Sequence, residues 1–245
     1  MKDKGLVSIL VEVQNHPIDE VAHFLWERFP DNGCFSCASV FIPIPQSGSI
    51  PNAAVVGVDG KLLWSGNPLS GSSKVSELVD EQLKLIKKGW GDTATARKVR
   101  ADLYGKNNLA GAAAAVVALP DGDEKTTLQA EVDKRYQVLK GAVATLQKQG
   151  RWNDALEAAK SLQKAVGRHE KWAGEATALV GEFDTDSAKA ELEADKQLAK
   201  IVKGMRSGKL DKAPKDLEKL LEKHGQTSVG KQAAQLLRAL RTPIT

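Results

Sequence analysis

The chain's only two cysteines stand in the run Cys34-Phe-Ser-Cys37. A Cys-x-x-Cys pair can shuttle between dithiol and disulfide when its first sulfur sits at a helix N-terminus, where free N–H groups and the dipole favour the thiolate. Cys37 instead runs into Ala-Ser-Val-Phe-Ile-Pro43, which is β-like and ends in proline. The preferred reading is therefore a structural disulfide or two buried thiols, with redox catalysis by Cys34 and Cys37 and metal binding as the alternatives. A metal would need more ligands, and the nearest histidines, His16 and His23, match no zinc spacing. His169 and His224 stand alone in charged turns and read as solvated. The acid pairs Glu191 with Glu193 and Asp184 with Asp186 fall at expected element ends, where acids favour helix starts. Gly57-Val-Asp-Gly60 and the spacing from Gly66 to Gly71 lack the Lys-Ser/Thr and helix of a phosphate loop. No metal and no cofactor is expected.

Certain elements must position these residues. The strongest local signal is Ile50-Pro51-Asn-Ala-Ala-Val-Val-Gly-Val-Asp59-Gly60-Lys-Leu-Leu-Trp64-Ser-Gly66-Asn-Pro68. Two apolar runs around Asp-Gly predict a hairpin with a tight two-residue turn, and Trp64 as a packing residue on it. Upstream, residues 6–13 read as a buried strand. Residues 18–29 read as a helix with Val21, Phe24, Leu25 and Phe29 on one face and Asp19 and Glu20 in its first turn. Residues 30–49 are irregular apart from a short strand at 39–42. Residues 75–88 form an amphipathic helix.

This stretch resembles the second half of a thioredoxin-like fold, in the TlpA-like branch of extracytoplasmic thiol–disulfide oxidoreductases. The matching residues are Pro51, where the family has a cis-proline before the hairpin, and the turn Val58-Asp59-Gly60-Lys61. The resemblance implies that Ile50 and Pro51 present backbone groups to an extended substrate beside a reactive sulfur, and that the protein works outside the cytoplasm. It also implies an earlier strand and a Trp-Cys-x-x-Cys helix, for which this chain has no counterpart before residue 6. Three resolutions are open: direct pairing of the two flanking strands through a right-handed crossover, a homodimer in which another chain fills the vacant sheet position, or a longer reading frame. Residues 6–13 are too short and β-like for the apolar core of a signal peptide.

From Trp90 onward strand signals almost vanish. Helices are expected near 93–104, 109–119, 126–148, 152–165, 171–183, 187–206, 214–223 and 228–240, separated by Gly-containing turns. Gln149-Gly150-Arg-Trp152-Asn-Asp-Ala155-Leu-Glu-Ala-Ala159 resembles the first helix of a tetratricopeptide-type unit, and residues 208–220 with 230–237 form a looser second example. Trp152 and Trp172 are expected to seat helix interfaces. The formal charge is +4, and residues 1–90 carry 8 Lys+Arg against 10 Asp+Glu, while 91–245 carry 27 against 21. Acids and bases interleave at helical spacing, and no aromatic stacking platform accompanies them, so nucleic acid is not expected as a partner. The longest apolar run, 109–119, is far below the roughly 20 residues of a membrane span.

The sequence thus predicts an α+β chain: a partial thioredoxin-like domain of order β-α-β-β-α at 1–88, then an all-α helical-repeat-like domain at 92–245. The expected function is a protein-interaction module without redox catalysis, its partner another protein. The alternative is a thiol–disulfide oxidoreductase acting on thiol-containing proteins, its reactive cysteines lying upstream of Met1 or being Cys34 and Cys37.

Overall fold

In the computed structural model, which describes residues 9–12, 16–28, 35–38 and 52–242, the Asp59-Gly60 hairpin closes through three residues rather than two. Strand β3 (Ala53–Val56) pairs antiparallel with β4 (Leu62–Gly66). The Gly60 amide donates to the Gly57 carbonyl at 3.0 Å and the Gly57 amide to the Lys61 carbonyl at 2.8 Å. Only Gly60 takes a left-handed conformation, at φ +80°; Asp59 keeps a negative φ and accepts the Lys61 amide at 3.1 Å. The two-residue type I′ turn that Asp-Gly favours needs left-handed geometry at both central positions, whereas a single left-handed glycine closes a three-residue loop. The pairing shifts between Val55, opposite Trp64, and Val56, opposite Leu62. Trp64 lies over Gly71, where a methyl group would come within 2.4 Å of its ring.

Ahead of the hairpin come β1 (Ile9–Glu12), α1 (Ile18–Arg28) and β2 (Phe35–Ala38). Strand β1 pairs with β2, and β3 with β4, as two separate two-stranded sheets. The rest is helical: α2 (Ser72–Lys88), α3 (Ala94–Arg100), a π-helical turn (Ala101–Gly105), α4 (Leu109–Val117), α5 (Asp123–Lys148), α6 (Trp152–Val166), α7 (Ala173–Gly181), α8 (Asp186–Arg206), α9 (Ala213–His224) and α10 (Ser228–Arg241). The chain is therefore α+β with a helical bulk. None of its described helices is long and apolar enough to cross a membrane.

Packing divides the described residues into two units, the division falling inside α5. The first holds the β3–β4 hairpin and the helices to Val132. Val99, Leu103, Leu109, Val116 and Val132 are fully shielded in it. Gly89-Trp90-Gly91 lies within this unit as a packed corner. A methyl group on Gly89 would sit 1.8 Å from the Arg97 carbonyl oxygen. Arg100 donates to the Trp90 carbonyl at 3.0 Å, grips Glu131 through Nε at 3.0 Å and lies 5.6 Å from the Trp90 ring centre.

The second unit holds α1 and the helices beyond Asp133. Helix α1 packs on α10, where Arg238 Nε donates to Asp19 at 2.8 Å and the His23 ring donates to the Thr242 carbonyl at 2.6 Å. Its apolar stripe specified a partner face without specifying which one. The other helices pack as neighbours, α6 on α7, α8 on α9 and α9 on α10. Two apolar clusters form there: Val143, Ala155, Ala159 and Phe183 in one, and Ala194, Leu198, Leu217, Leu220, Val229, Ala233 and Leu237 in the other. Trp152 touches both. Alanines at 155 and 159, one helical turn apart and fully buried, let α6 approach its neighbours closely.

Candidate functional site

Cys34, Ile50 and Pro51 lie outside the described residues. Cys37 falls in β2, with its side chain outside them. These four positions therefore form no part of the geometry that follows. Among the described residues, no group of three or more His, Cys, Asp or Glu could hold a metal ion.

Elsewhere polar groups converge, most densely where α6, α8, α9 and α10 meet. Glu191 and Glu193 do not stand at a helix start as a helix-end reading would have it; both lie inside α8. Glu191, only 9% exposed, points at the N-terminus of α10. Its Oε1 accepts the Ser228 amide at 2.7 Å, and its Oε2 accepts the Ser228 hydroxyl at 2.9 Å and the Val229 amide at 3.2 Å. Trp152 Nε1 donates to the Ser228 oxygen at 2.8 Å. Thr227 completes the cap, accepting the Gly230 amide at 2.8 Å and donating to the His224 carbonyl at 2.7 Å. The first amides of a helix have no partner within it and favour negative charge, so a carboxylate from a neighbouring helix satisfies both needs. With three donors on its two oxygens, Glu191 ties α8 to the start of α10, and the cluster works as a latch between helices.

His224 belongs to this region as a buried residue, 9% exposed, and not as a solvated turn histidine. It continues the Ala213, Leu217, Leu220 face of α9 at helical spacing, which carries it inward. Its Nε2 lies 3.4 Å from Gln197 Nε2 on α8. Gln197 in turn donates to Glu193 at 3.0 Å. That bond holds the Glu193 carboxyl below the usual carboxylate range, helped by nearby Lys196, Lys223 and Lys200.

A second polar group surrounds Trp172, just before α7. Tyr136 stacks on one side of Trp172 at 4.7 Å between centroids and His169 stacks on it at 4.0 Å. His169 is thus held by a ring face, and its Nδ1 is buried without a hydrogen bond among the described residues. The Tyr136 hydroxyl donates to Glu175 at 2.8 Å and Lys140 donates to the same oxygen at 2.7 Å. Lys140 and the tyrosine hydroxyl hold the Glu175 carboxyl down, while burial and the adjacent carboxylate push the Tyr136 hydroxyl well above its ordinary value. A tyrosine so disposed stays protonated and serves as a donor, not as a proton carrier near neutral pH.

A third group sits in the first unit, where Asp102 is buried in the π-helical turn and accepts Lys106 Nζ at 2.8 Å. Asn107 comes next at φ +51°. The Asn108 side chain then caps α4 by accepting the Gly111 amide at 2.9 Å. Sequence reasoning passed over the Glu191 latch because its partners come from other helices, and it passed over Asp102 although its partner Lys106 lies only four residues on. The one available signal was an acidic residue at an otherwise inward helical position, as Glu191 is between Ala188 and Ala194. No protein-family model, curated protein or solved structure matches the chain.

Proposed function

We propose that the chain is a protein-interaction module, a helical repeat-like body joined to a hairpin-bearing part of thioredoxin-like ancestry that performs no redox catalysis. The observation that carries this reading is the state of the clustered polar groups. Glu191, Ser228, Trp152, Thr227 and Tyr136 are engaged with one another, with Glu175 and with helix-end backbone groups. A catalytic centre needs a donor, base or nucleophile with capacity left for substrate. A scaffold needs helices locked in fixed register, which these contacts supply. Adjacent packed helices and the close approach at Ala155 and Ala159 support the repeat-like part.

The ancestry is supported by the antiparallel hairpin, its Asp59-Gly60 turn and the helix that begins directly after it at Ser72. In that ancestry Pro51 marks the place where a redox site would have been completed. Cys37 lies in a strand, where a helix dipole does not activate a thiolate. Insulin reduction with dithiothreitol tests the reading. The protein and its Cys34→Ser variant are expected to give the same rate as reductant alone. Turnover by the unmodified protein that Cys34→Ser abolishes would establish the oxidoreductase instead.

A further inference from the structure

Positive charge gathers on the C-terminal half of α8, the turn after it and α9, although α8 and α9 with their turn, residues 186–224, carry ten Lys and Arg against eight Asp and Glu in all. Residues 196–224 carry nine Lys and Arg against four Asp and Glu, a net +5 in a chain whose total is +4. On α8 the lysines Lys196, Lys200 and Lys203 recur at helical spacing, and on α9 so do Lys215, Lys219 and Lys223. All six are exposed. None forms an ion pair with a described residue, although Lys61, Lys74, Lys106, Lys125, Lys140, Lys160 and Lys171 do elsewhere.

The two rows approach each other at Glu193. Helices α8 and α9 pack together, and Gln197 meets His224 at 3.4 Å, so the pair runs antiparallel. Glu193 feels Lys196 and Lys200 from its own helix and Lys223 from the next. Neighbouring acids are occupied: Asp195 accepts the Asn153 amide at 2.6 Å, and Glu218 pairs with Arg241. Unpaired like charges on adjacent helices repel and are a standing cost that an acidic partner removes.

We infer that this lysine face of α8 and α9 docks an acidic polypeptide segment. The inference rests on the interaction-module reading and names its partner class. Two features select a polypeptide over other polyanions. The rows are lysine without aromatic rings, so nothing is present on which bases could stack. None of the large exposed apolar side chains falls between 196 and 224, so the face has no wedge for a bilayer.

The test uses the full chain and a short fluorescein-labelled poly-L-glutamate peptide, with anisotropy as the readout. Binding is expected at low salt and falls as the Debye length shrinks from about 20 Å toward 6 Å. The variant Lys215→Glu, Lys219→Glu, Lys223→Glu is expected to weaken it about tenfold or more, and the matching Lys→Gln variant about threefold. A control with the same net charge change, Lys84→Glu, Lys98→Glu, Lys134→Glu, is expected to stay within about twofold. Circular dichroism verifies the helices of each variant, and the Gln set serves if charge reversal unfolds α9. Equal loss in the control, no loss in a folded α9 variant, or tighter binding to duplex DNA or phosphatidylserine vesicles than to poly-glutamate overturns the inference. Such a result leaves the interaction-module reading standing, whereas Cys34-dependent insulin reduction sinks that reading whatever poly-glutamate does.

Discussion

The β3–β4 hairpin and the α8–α10 end of the chain are stabilised by different means. No side chain from Asn52 to Ser70 is fully shielded, and Val56 and Leu62, opposite each other across the ribbon, are 58% and 46% exposed. Its shape comes from local chemistry: a left-handed Gly60, an Asp59 carboxylate on the next-but-one amide, and Gln82 of α2 accepting the Val58 amide at 3.0 Å. The helical end has local devices of its own, such as the Thr227 cap and the left-handed Gly208, but adds deep burial, with Leu217, Val229 and Ala233 at 0% exposure around the Glu191 latch. A two-stranded ribbon is marginal by itself. Packed helices tied by interhelical hydrogen bonds form the firmer platform for a partner.

Core truncation sets the widest gap between the regions. Leu217→Ala is expected to cost about 2–5 kcal/mol of unfolding free energy, while Leu62→Ala, on the exposed ribbon, is expected to stay within about 0.5 kcal/mol; urea titration reads both. Breaking the latch comes next. Glu191→Gln presents an amide donor to amide and hydroxyl donors and is expected to cost about 1–3 kcal/mol. A double-mutant cycle with Trp152→Phe is expected to show coupling through Ser228, and additive losses would mean that the two contacts act separately.

Local devices are smaller in both regions and bring them closest. Thr227→Ala removes the α10 cap and is expected to cost about 1 kcal/mol. Gly60→Ala forces a side chain into the left-handed region and is expected to cost about 1–2 kcal/mol, felt in the ribbon alone if that part opens independently. The smallest effect is that of pH at the Trp172 stack. Glu175 is held below its ordinary value, so its contribution is present above about pH 4.5 and is lost as pH falls through the lowered value. Tyr136 is raised above 10.0, so its contribution is complete below that pH and declines as alkali ionises the unfolded chain first. Melting temperature against pH, compared with Tyr136→Phe, is expected to show both arms reduced in the variant.

The same contrast decides how much was legible in the sequence. Helix limits from Leu109 onward were readable because glycines, prolines and apolar periods are local signals, and the predicted 228–240 and 152–165 lie within one residue of α10 and α6. The hairpin was readable for the same reason, though its loop length was not, since Asp59 can serve either a left-handed position or a side-chain cap. The partner of α1 was illegible. Its apolar face suits a sheet as well as a helix, and its polar ties at α10, Asp19 with Arg238 and His23 with Thr242, each join residues 219 apart. The latch was illegible because Glu191, Ser228 and Trp152 are separated by whole helices. His224 read as solvated because its charged neighbours hid its place on the inner face of α9.

Hydrogen exchange across the whole chain tests the central contrast most directly. Amides of Leu198, Leu217 and Ala233 are expected to exchange near the rate set by global unfolding. Those of Val55 and Trp64 are expected to exchange about a hundredfold faster or more, through opening of the ribbon alone. Equal protection of the ribbon and the α8–α10 end would contradict the account, because the hairpin would then share the core that these helices are held to supply.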